Sequence, residues 1–291
     1  MVLAKSRRVE PSHGFMSVSV LAWSLKQVKL GKRVAIATVI SAKGSVPGKP
    51  GAKLAVTSDN QNFGTVGGAG LELRIQNNLK RLLNKDSKLS RKEGGSIEIF
   101  QLYKDAKGKE VTALDSLCGG QVTVSMEVIE PVPHILIAGG GHVGRCVALV
   151  ADSLGWDYSI FDVRSEYSNP EKYPFAIDTI SASVEDFLNS ENNESIQRFS
   201  DILLLGHDWS VDQELLLKSL TIRGEQMRPR IGAIGSKSKW KAFKKAAINY
   251  GVNEEWFESA RCPIGIDIGA ETPEEIGLAV CAEILLLEKK S

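Results

Sequence analysis

The stretch HILIAGGGHVGRCVALVADSLGWDYSIFD, residues 134–162, decides the fold of the second half of the chain. A short apolar run leads into a glycine-rich turn, the turn opens an amphipathic helical pattern, and a second apolar run follows. Gly139, Gly141 and Gly144, with an acidic Asp162 ending the second run, match the fingerprint of a dinucleotide-binding strand–turn–helix–strand unit. The stretch therefore predicts a Rossmann-like unit.

Each glycine of this turn has a separate physical task. Gly139 permits the tight turn, Gly141 lets the backbone approach a phosphate, and Gly144 lets the helix and the strand pack closely. The helix start offers free N–H groups and the positive end of the helix dipole to an anion. His142 lies inside the turn, where it either faces the ligand or stands as a solvent-exposed residue at the helix start.

Two residues at the end of the second strand bear on the identity of the ligand. Asp162 favours a ribose diol, whereas Arg164, two residues further on, can accept a phosphate. NAD, NADP and another nucleotide therefore all stay open on the residues alone. The plain alternative is a vestigial Rossmann turn that binds nothing.

From Asp162 to the C-terminus, apolar runs alternate with amphipathic helical stretches. The predicted strands are a short one near residues 178–180, then DILLLG, RIGAIG and PIGIDIGAE. This alternation indicates a parallel sheet with helices on both faces. We expect a Rossmann-like, doubly wound α/β domain over residues 134–291, whose last helix begins with a capping box of Thr272 and Glu275.

Polar residues follow the predicted strand DILLLG. Loops at the carboxyl ends of parallel strands line the ligand crevice of such folds. His207 and Asp208, together with Asp212, can bind a metal or move protons, and they are candidates for a catalytic role. For Asp212 the better interpretation is the N-cap of the following helix.

The next loop of this kind reads Gly235-Ser236-Lys237-Ser238-Lys239 and lies between the strand RIGAI and a helix. A glycine, a serine and a lysine at a helix start suit an anion. The alternative is a solvated basic helix face, because further lysines follow along the same helix.

The first 130 residues are strand-rich and glycine-rich, and they predict an α+β domain. The predicted helices are one with Val18, Leu21, Ala22 and Leu25 on its apolar face, and LELRIQNNLKRLLNK with Leu71, Ile75 and Leu79. RVAIATVIS, SIEIFQLY and QVTVSMEVIE predict strands, and GAKLAVTS with NFGTVGG predicts a hairpin. Pro131 and Pro133 form a stiff connector to the second domain.

Three glycine clusters stand at strand ends of this first domain, at residues 44–53, 66–72 and 118–120. On spacing alone they are tight turns, although glycine also permits the close approach of a ligand. Cys118, beside two glycines, is the best candidate for a reactive thiol, with a buried structural cysteine as the default interpretation.

Composition excludes several classes of protein. The 291 residues carry a formal net charge of +1, without the sustained basic excess of a nucleic-acid or membrane-surface binder. No apolar run is long enough for a transmembrane helix. The four cysteines form no CxxC pair, which disfavours a zinc site or a disulfide framework and makes the cytoplasm the expected compartment.

Taken together, these motifs resemble the XdhC/CoxI family, the xanthine dehydrogenase accessory proteins. The resemblance covers most of the chain and rests on GSVPGKPGAK, CGG, ILIAGGGHVGRCVA with FDVRSEY, GHDWSVDQELL, IGAIGSKSK and CPIGIDIGAETPEEIGLAVCAEIL, in that order. It implies an XdhC/CoxI-like domain over residues 1–130. It also implies a cofactor pocket reached by Gly44, Ser45, Gly67, Gly68 and Glu72.

The resemblance further implies a function. Family members bind molybdenum cofactor (molybdopterin) and deliver it to a xanthine dehydrogenase-type molybdenum hydroxylase, after an encounter with a cysteine desulfurase. That role is a chaperone's rather than a turnover enzyme's, and we expect a homodimer. Two positions depart from the family pattern, since Gly48 replaces the usual arginine and Ala69 replaces the usual cysteine.

The residues also support functions of other classes. The glycine fingerprint with Asp162 directly favours an NAD(P)-dependent oxidoreductase, and a nucleotide-sensing module without chemistry fits the same residues. The N-terminal glycine clusters, which a dehydrogenase does not need, favour the cofactor chaperone instead.

Overall fold

The chain divides into two compact units, and the boundary between Pro131 and Val132 lies inside the predicted proline connector. The structure, a computed structural model, describes residues 13–84, 95–102, 111–113, 119–226 and 228–290. Among these residues, no helix combines the length and the apolar character needed to cross a membrane. Each unit is a layered α/β arrangement with its own core.

The first unit is built on one six-stranded sheet. Its elements are α1 (His13–Lys29), β1 (Val34–Gly44), β2 (Lys53–Thr57), β3 (Asn62–Gly64), α2 (Ala69–Leu83), β4 (Gly95–Gln101), β5 (Val111–Ala113) and β6 (Gly120–Ile129). The strand order is β3-β2-β1-β6-β4-β5, and every pairing except β4 with β5 is antiparallel. The predicted α+β class and the β2–β3 hairpin are confirmed, and Asn60 in the hairpin turn has a φ of 65°.

The helix α2 packs on one face of this sheet with the predicted apolar stripe. Leu71, Ile75 and Leu79 are buried against Ala35 and Val56. The side chains of a strand alternate between its faces, so the neighbouring residues Val34 and Ile36 face the opposite layer. There they meet α1.

For α1 the predicted packing face is wrong. Val20 is buried on the sheet, and Ser24 and Gln27 are buried on the same side of the helix. Val18 and Leu21, which the apolar pattern placed in the core, are instead 65% and 49% exposed. The helix carries two stripes of helical spacing, and contact with β1 and β2 selects the more polar one.

The second unit is a five-stranded parallel sheet. Its elements are β7 (His134–Ala138), α3 (His142–Leu154), β8 (Asp157–Phe161), β9 (Thr179–Ile180), α4 (Val184–Asn189), β10 (Asp201–Leu204), α5 (Trp209–Arg223), β11 (Arg230–Ala233), α6 (Lys237–Tyr250), α7 (Glu254–Glu258) and α8 (Pro273–Lys290). The strand order is β11-β10-β7-β8-β9. The chain therefore starts in the middle of the sheet, runs to one edge and returns to build the other, as in Rossmann folds.

Helices cover both faces of this sheet, as predicted. Ile135 and Ile137 of β7 pack in one layer with α3 and α8. Leu136 and Ala138, pointing the other way, pack with α4, α5 and α6. The alternation along one buried strand thus supplies the two cores of a doubly wound domain.

The predicted last strand, PIGIDIGAE, is not a strand. In the described chain its neighbourhood makes one isolated bridge, between Gly232 and Arg261. Gly265 and Gly269 have φ values of 100° and 69°, and this left-handed backbone turns the chain away from the edge of β11. The predicted capping box is confirmed, since Thr272 Oγ1 accepts from the Glu275 N–H and Glu275 accepts from the Thr272 N–H.

Candidate functional site

A cavity of about 330 Å³ opens at the carboxyl ends of β7, β8 and β10. This is the point where the strand order of the second unit reverses, the usual ligand crevice of an open α/β sheet. The lining residues come from three strand ends and the first turns of α5: Ala138, Gly139, Phe161, Asp162, Val163, Arg164, Gly206, His207, Asp208, Val211, Asp212 and Leu215.

Gly139 and Gly144 have the geometry that their assigned tasks require. Gly139 has a φ of 117°, and a Cβ on Gly144 would lie 2.1 Å from the Gly139 carbonyl oxygen. Gly144 therefore allows α3 to pack directly on the turn. A Cβ on Gly141 would meet nothing within 4 Å, so the space in front of this residue is open.

Gly140 is packed as closely as Gly139 and Gly144, although the fingerprint does not include it. A Cβ there would lie 1.8 Å from the Tyr167 carbonyl oxygen. Its own carbonyl accepts from Tyr173 Oη at 2.8 Å and from Lys172 Nζ at 3.2 Å. The run of three consecutive glycines was the only sequence signal for this role.

The start of α3 lacks the side-chain cap that most other described α-helices have. Gly141 is its N-cap and supplies no side-chain hydrogen bond, and the same is true of Gly68 at α2. Side chains cap the other α-helices with a described N-cap, namely Ser183, Asp208, Ser236, Asn253 and Thr272. The first-turn N–H groups of α3 are therefore available to an anion. His142, the first residue of α3, is exposed and does not line the cavity.

Asp162 and Arg164 form a bidentate ion pair at the end of β8. Arg164 Nε and Nη2 each lie 3.0 Å from one carboxylate oxygen of Asp162. The Gly140 N–H donates to the same carboxylate at 3.1 Å. Hydrogen bonding to Asp162 raises the pKa of Arg164 above its usual value.

The two candidates in the loop after β10 differ in their surroundings, since one caps a helix and the other is exposed. Asp208 is the N-cap of α5, and its Oδ1 accepts from the Ser210 N–H at 2.8 Å and from Ser210 Oγ at 2.7 Å. These hydrogen bonds hold the pKa of Asp208 below its usual range. His207 is exposed at the cavity rim. In the described part of the chain, no three His, Cys, Asp or Glu side chains are grouped for a metal ion.

Asp212 is not the N-cap of α5, because the helix begins earlier, at Trp209. Its carboxylate is buried, accepts from the Gly206 N–H at 3.1 Å and lies 2.9 Å from Lys239 Nζ. Burial raises the pKa of Asp212, and the charge of Lys239 offsets only part of that effect. Lys239 ends the predicted anion cluster of residues 235–239, but nothing in the sequence marks it as the partner of Asp212.

The third predicted cluster lies at the start of α6 and outside the cavity lining. Ser236 is the N-cap and accepts from the Lys239 N–H, and Lys237 is exposed. A Cβ on Gly235 would press on the side chain of Lys239 at 2.9 Å. The assignment of Gly235, Ser236 and Lys237 to an anion stays a prediction.

In the first unit, the loop at residues 44–53 touches both other glycine clusters. A Cβ on Gly67 would lie 2.6 Å from the Pro47 carbonyl oxygen, and one on Gly68 would lie 2.5 Å from Pro47 Cγ. On the other side, the Ser45 N–H donates to the Gly119 carbonyl at 2.9 Å, and Gly44 pairs with Gly120 across β1 and β6. Three clusters far apart in sequence therefore form one surface.

A second cavity, of about 100 Å³, lies on this surface. Gly48, Lys49 and Gly67 are among the residues that line it. Glu72, in the first turn of α2, accepts a hydrogen bond from Thr65 Oγ1, and Thr65 Oγ1 in turn accepts from the Gly67 N–H. Cys118, the predicted thiol, lies outside the described residues.

The two departures from the family pattern differ in their surroundings. A Cβ on Gly48 would lie 2.3 Å from the Val66 carbonyl oxygen, so the backbone leaves no room for a side chain. Ala69 is exposed in the first turn of α2, where a larger residue has space.

Comparison with known proteins matches both units to one family. The profile of the XdhC Rossmann domain matches residues 135–284, and the profile of the XdhC and CoxI family matches residues 28–91. The chain is 30% identical over 258 residues to the uncharacterized protein YqeB of Escherichia coli (strain K12), covering 88% of this chain and 44% of that protein.

Two further proteins are similar at lower identity. A protein of Bacillus subtilis (strain 168), named as a probable xanthine dehydrogenase subunit, is 28% identical over 164 residues, covering 56% of this chain and 45% of that protein. The chain thus spans a little under half the length of both curated relatives. A solved structure named as a xanthine dehydrogenase of Bacillus halodurans has 18% identity and a TM-score of 0.47, covering 92% of this chain and 95% of that one. On the family profiles, the chain belongs to the XdhC and CoxI family.

Proposed function

We propose that this protein binds molybdenum cofactor and assists its maturation and its insertion into a xanthine dehydrogenase-type molybdenum hydroxylase. Family membership supports the proposal, as does the Bacillus subtilis relative, which is named for a xanthine dehydrogenase. A cysteine desulfurase is the second proposed partner. The protein would work as a homodimer in the cytoplasm.

The observation that carries the proposal is the uncapped start of α3 beside the larger cavity. Molybdopterin is a pterin with a phosphate group, so it needs an anion site next to a cavity that admits a ring system. The first-turn N–H groups of α3 would hold the phosphate. His207 and Asp208 at the rim are placed to hold the polar edge of a heterocycle.

The donor set on the described residues therefore fits the non-metal part of the cofactor. When bound, the cofactor supplies the molybdenum centre that the hydroxylase uses. This chain's own residues bind and orient the phosphate and the ring. Cys118, which lies outside the described residues, stays a candidate for a thiol that handles the sulfur or the metal of the cofactor.

A second candidate is an NAD(P)-dependent oxidoreductase or a nucleotide-sensing module. The glycine turn at the start of α3, in a sheet of Rossmann order, favours it. Hydride transfer also needs an acid or base placed beside the nicotinamide. Asp208 is engaged in capping α5 and His207 is exposed, so the sensing module is the stronger form of this alternative.

One experiment separates the candidates. An apo molybdenum hydroxylase is incubated with molybdenum cofactor, with and without this protein, and hydroxylase activity is measured. We expect activation that depends on the protein and is weakened in Cys118→Ser and His207→Ala, but not in Lys241→Gln, an exposed control on α6. NADPH oxidation that disappears in His207→Ala, with no effect on hydroxylase activation, would assign the protein to the oxidoreductases instead.

A further inference from the structure

The carboxylate of Asp162 has no free acceptor position for a ribose diol. Its Oδ1 accepts from the N–H and from Nε of Arg164, both at 3.0 Å. Its Oδ2 accepts from the Gly140 N–H at 3.1 Å and from Arg164 Nη2 at 3.0 Å. Two carboxylate oxygens offer about four acceptor sites, and all are used here. A diol would have to break one of these bonds, at a carboxylate whose side chain is only 4% exposed.

Arg164, in contrast, keeps donors for a ligand. A guanidinium carries five N–H donors, and two of those of Arg164, on Nε and Nη2, are bound to Asp162. Nη1 makes no hydrogen bond to any described residue. The side chain is 36% exposed and lines the larger cavity.

The plane of this guanidinium is also fixed in advance. Asp162 binds one edge of the guanidinium. The ring of Tyr167 lies against the face of the guanidinium, with the Arg164 Cζ 3.9 Å from the ring centroid. Lys172 adds a second positive charge, with its Nζ 4.8 Å from the same centroid. An arginine held in this way loses little side-chain entropy on binding an anion.

We infer that Asp162 positions Arg164 and does not itself bind the ligand. The cavity therefore selects a ligand that carries a phosphate monoester at the carboxyl end of β8. Arginine binds phosphate through two parallel N–H···O bonds, and the free edge of Arg164 offers that geometry. The other two carboxylates that line the cavity are engaged elsewhere, since Asp208 bonds Ser210 and Asp212 pairs with Lys239. The inference rests on the proposed function in one respect, namely that both place the ligand in this cavity.

Two sources of such a phosphate are chemically equivalent at this position. One is the 2′-phosphate of an NADP-type nucleotide, whose other phosphates would lie at the start of α3. The other is the single phosphate of a pterin cofactor, which would then lie at Arg164 instead of at the start of α3. Two matched pairs of probes distinguish them: 2′,5′-ADP against 5′-AMP, and the oxidised phosphate-bearing pterin of a molybdenum enzyme against the same pterin after phosphatase treatment.

Titration calorimetry on the full chain tests the inference. In at least one pair, the member with the extra phosphate should bind at least about tenfold more tightly, since a single charge-assisted hydrogen bond already gives that ratio. Arg164→Gln should remove that preference, Arg164→Lys should keep part of it, and Lys241→Gln should leave it unchanged. Circular dichroism checks that each variant is folded, and the wild-type ratio alone decides the matter if Arg164→Gln does not fold.

Several results would overturn the inference. These are equal affinities within both pairs, tighter binding of the phosphate-free members, no measurable binding of any probe, or a preference that persists in folded Arg164→Gln. Protein-dependent hydroxylase activation combined with equal affinities would overturn this inference while the proposed function stands. A phosphate preference without hydroxylase activation would support this inference and count against the proposed function.

Discussion

The ammonium group of Lys239 lies 2.9 Å from the buried carboxylate of Asp212 and joins the first turn of α6 to the first turn of α5. The Asp212 side chain is 1% exposed and that of Lys239 is 19% exposed. The same carboxylate accepts from the Gly206 N–H, so the pair also holds the loop that carries His207. A buried ion pair of this kind is costly to break, because removing one partner leaves an uncompensated charge.

Lys239→Met should therefore destabilise the protein by about 3 kcal/mol near neutral pH. Urea denaturation measures the free energy of unfolding. The matched control is Lys241→Met on the same helix, which replaces an exposed lysine and should change that free energy by no more than about 0.5 kcal/mol. Equal losses in the two variants would contradict a role for the Asp212 pair.

The loss in Lys239→Met should also depend on pH. Burial raises the pKa of Asp212 above its usual 3.8, and removal of the lysine raises it further. A raised folded-state pKa gives stability that is present below the unfolded value and is lost as pH rises through the folded value. The variant should thus lie closest to wild type near pH 4 and fall away at higher pH. A loss that is constant with pH would be inconsistent with this origin.

His134 should make the protein less stable in acid. Burial, aided by the charge of Arg198, lowers the pKa of His134 from 6.5 to about 4. Its Nε2 lies 2.9 Å from Ser159 Oγ, and its ring packs edge-on against Phe199. A lowered folded-state pKa gives stability that is present above pH 6.5 and is lost as pH falls through about 4.

The expected loss is about 3 kcal/mol across that window, because each pKa unit corresponds to about 1.4 kcal/mol. His134→Gln keeps a group that can bond Ser159 but does not titrate. As pH falls from 7 to 4, the unfolding free energy of wild type should decrease by about 3 kcal/mol more than that of the variant. Parallel curves would show that another group is responsible.

Gly141→Val should abolish binding of phosphate-bearing probes without unfolding the domain. The open space in front of Gly141 admits the side chain, and its φ of −77° suits any residue. The cost in stability should stay within about 1 kcal/mol, because glycine is a better N-cap than valine. Titration with 2′,5′-ADP and the phosphate-bearing pterin measures binding, and unchanged affinity for both would refute the assignment.

Gly144→Ala is the matched control, with the opposite expected outcome. Its Cβ would collide with the Gly139 carbonyl oxygen at 2.1 Å, which is backbone and cannot move aside cheaply. We expect a loss of about 2 kcal/mol in unfolding free energy. Thermal unfolding that matches wild type would show that the turn is looser than this geometry indicates.

Restoring the two family residues should have unequal effects on stability. Gly48→Arg forces a side chain against the Val66 carbonyl oxygen at 2.3 Å and should cost about 2 kcal/mol or more. Ala69→Cys, at an exposed position, should change stability by no more than about 0.5 kcal/mol. Urea denaturation of both variants checks this, and an unchanged Gly48→Arg protein would show that the loop can rearrange.

The sequence by itself determined those features whose causes are local. The glycine turn from Gly139 to Gly144 is predictable because the tight turn at Gly139 and the close packing at Gly144 each require a missing Cβ at a set spacing. Thr272 and Glu275 cap α8 as their spacing predicts, since both partners lie within one turn. Buried parallel strands are likewise legible as apolar runs between helical patterns.

The tertiary structure decided what depends on contacts between distant segments. The packing face of α1 follows the sheet beneath it and not the stronger apolar stripe, so Val18 is exposed and Gln27 is buried. The pairing of Asp212 with Lys239 requires α5 and α6 to be neighbours, which no spacing in the sequence encodes. The sequence presents Asp162 and Arg164 as alternative ligand contacts, and only their bidentate geometry shows that one holds the other. In the first two cases the deciding contact is with a segment far along the chain. In the third it is the relative orientation of two neighbouring side chains, which the sequence does not encode.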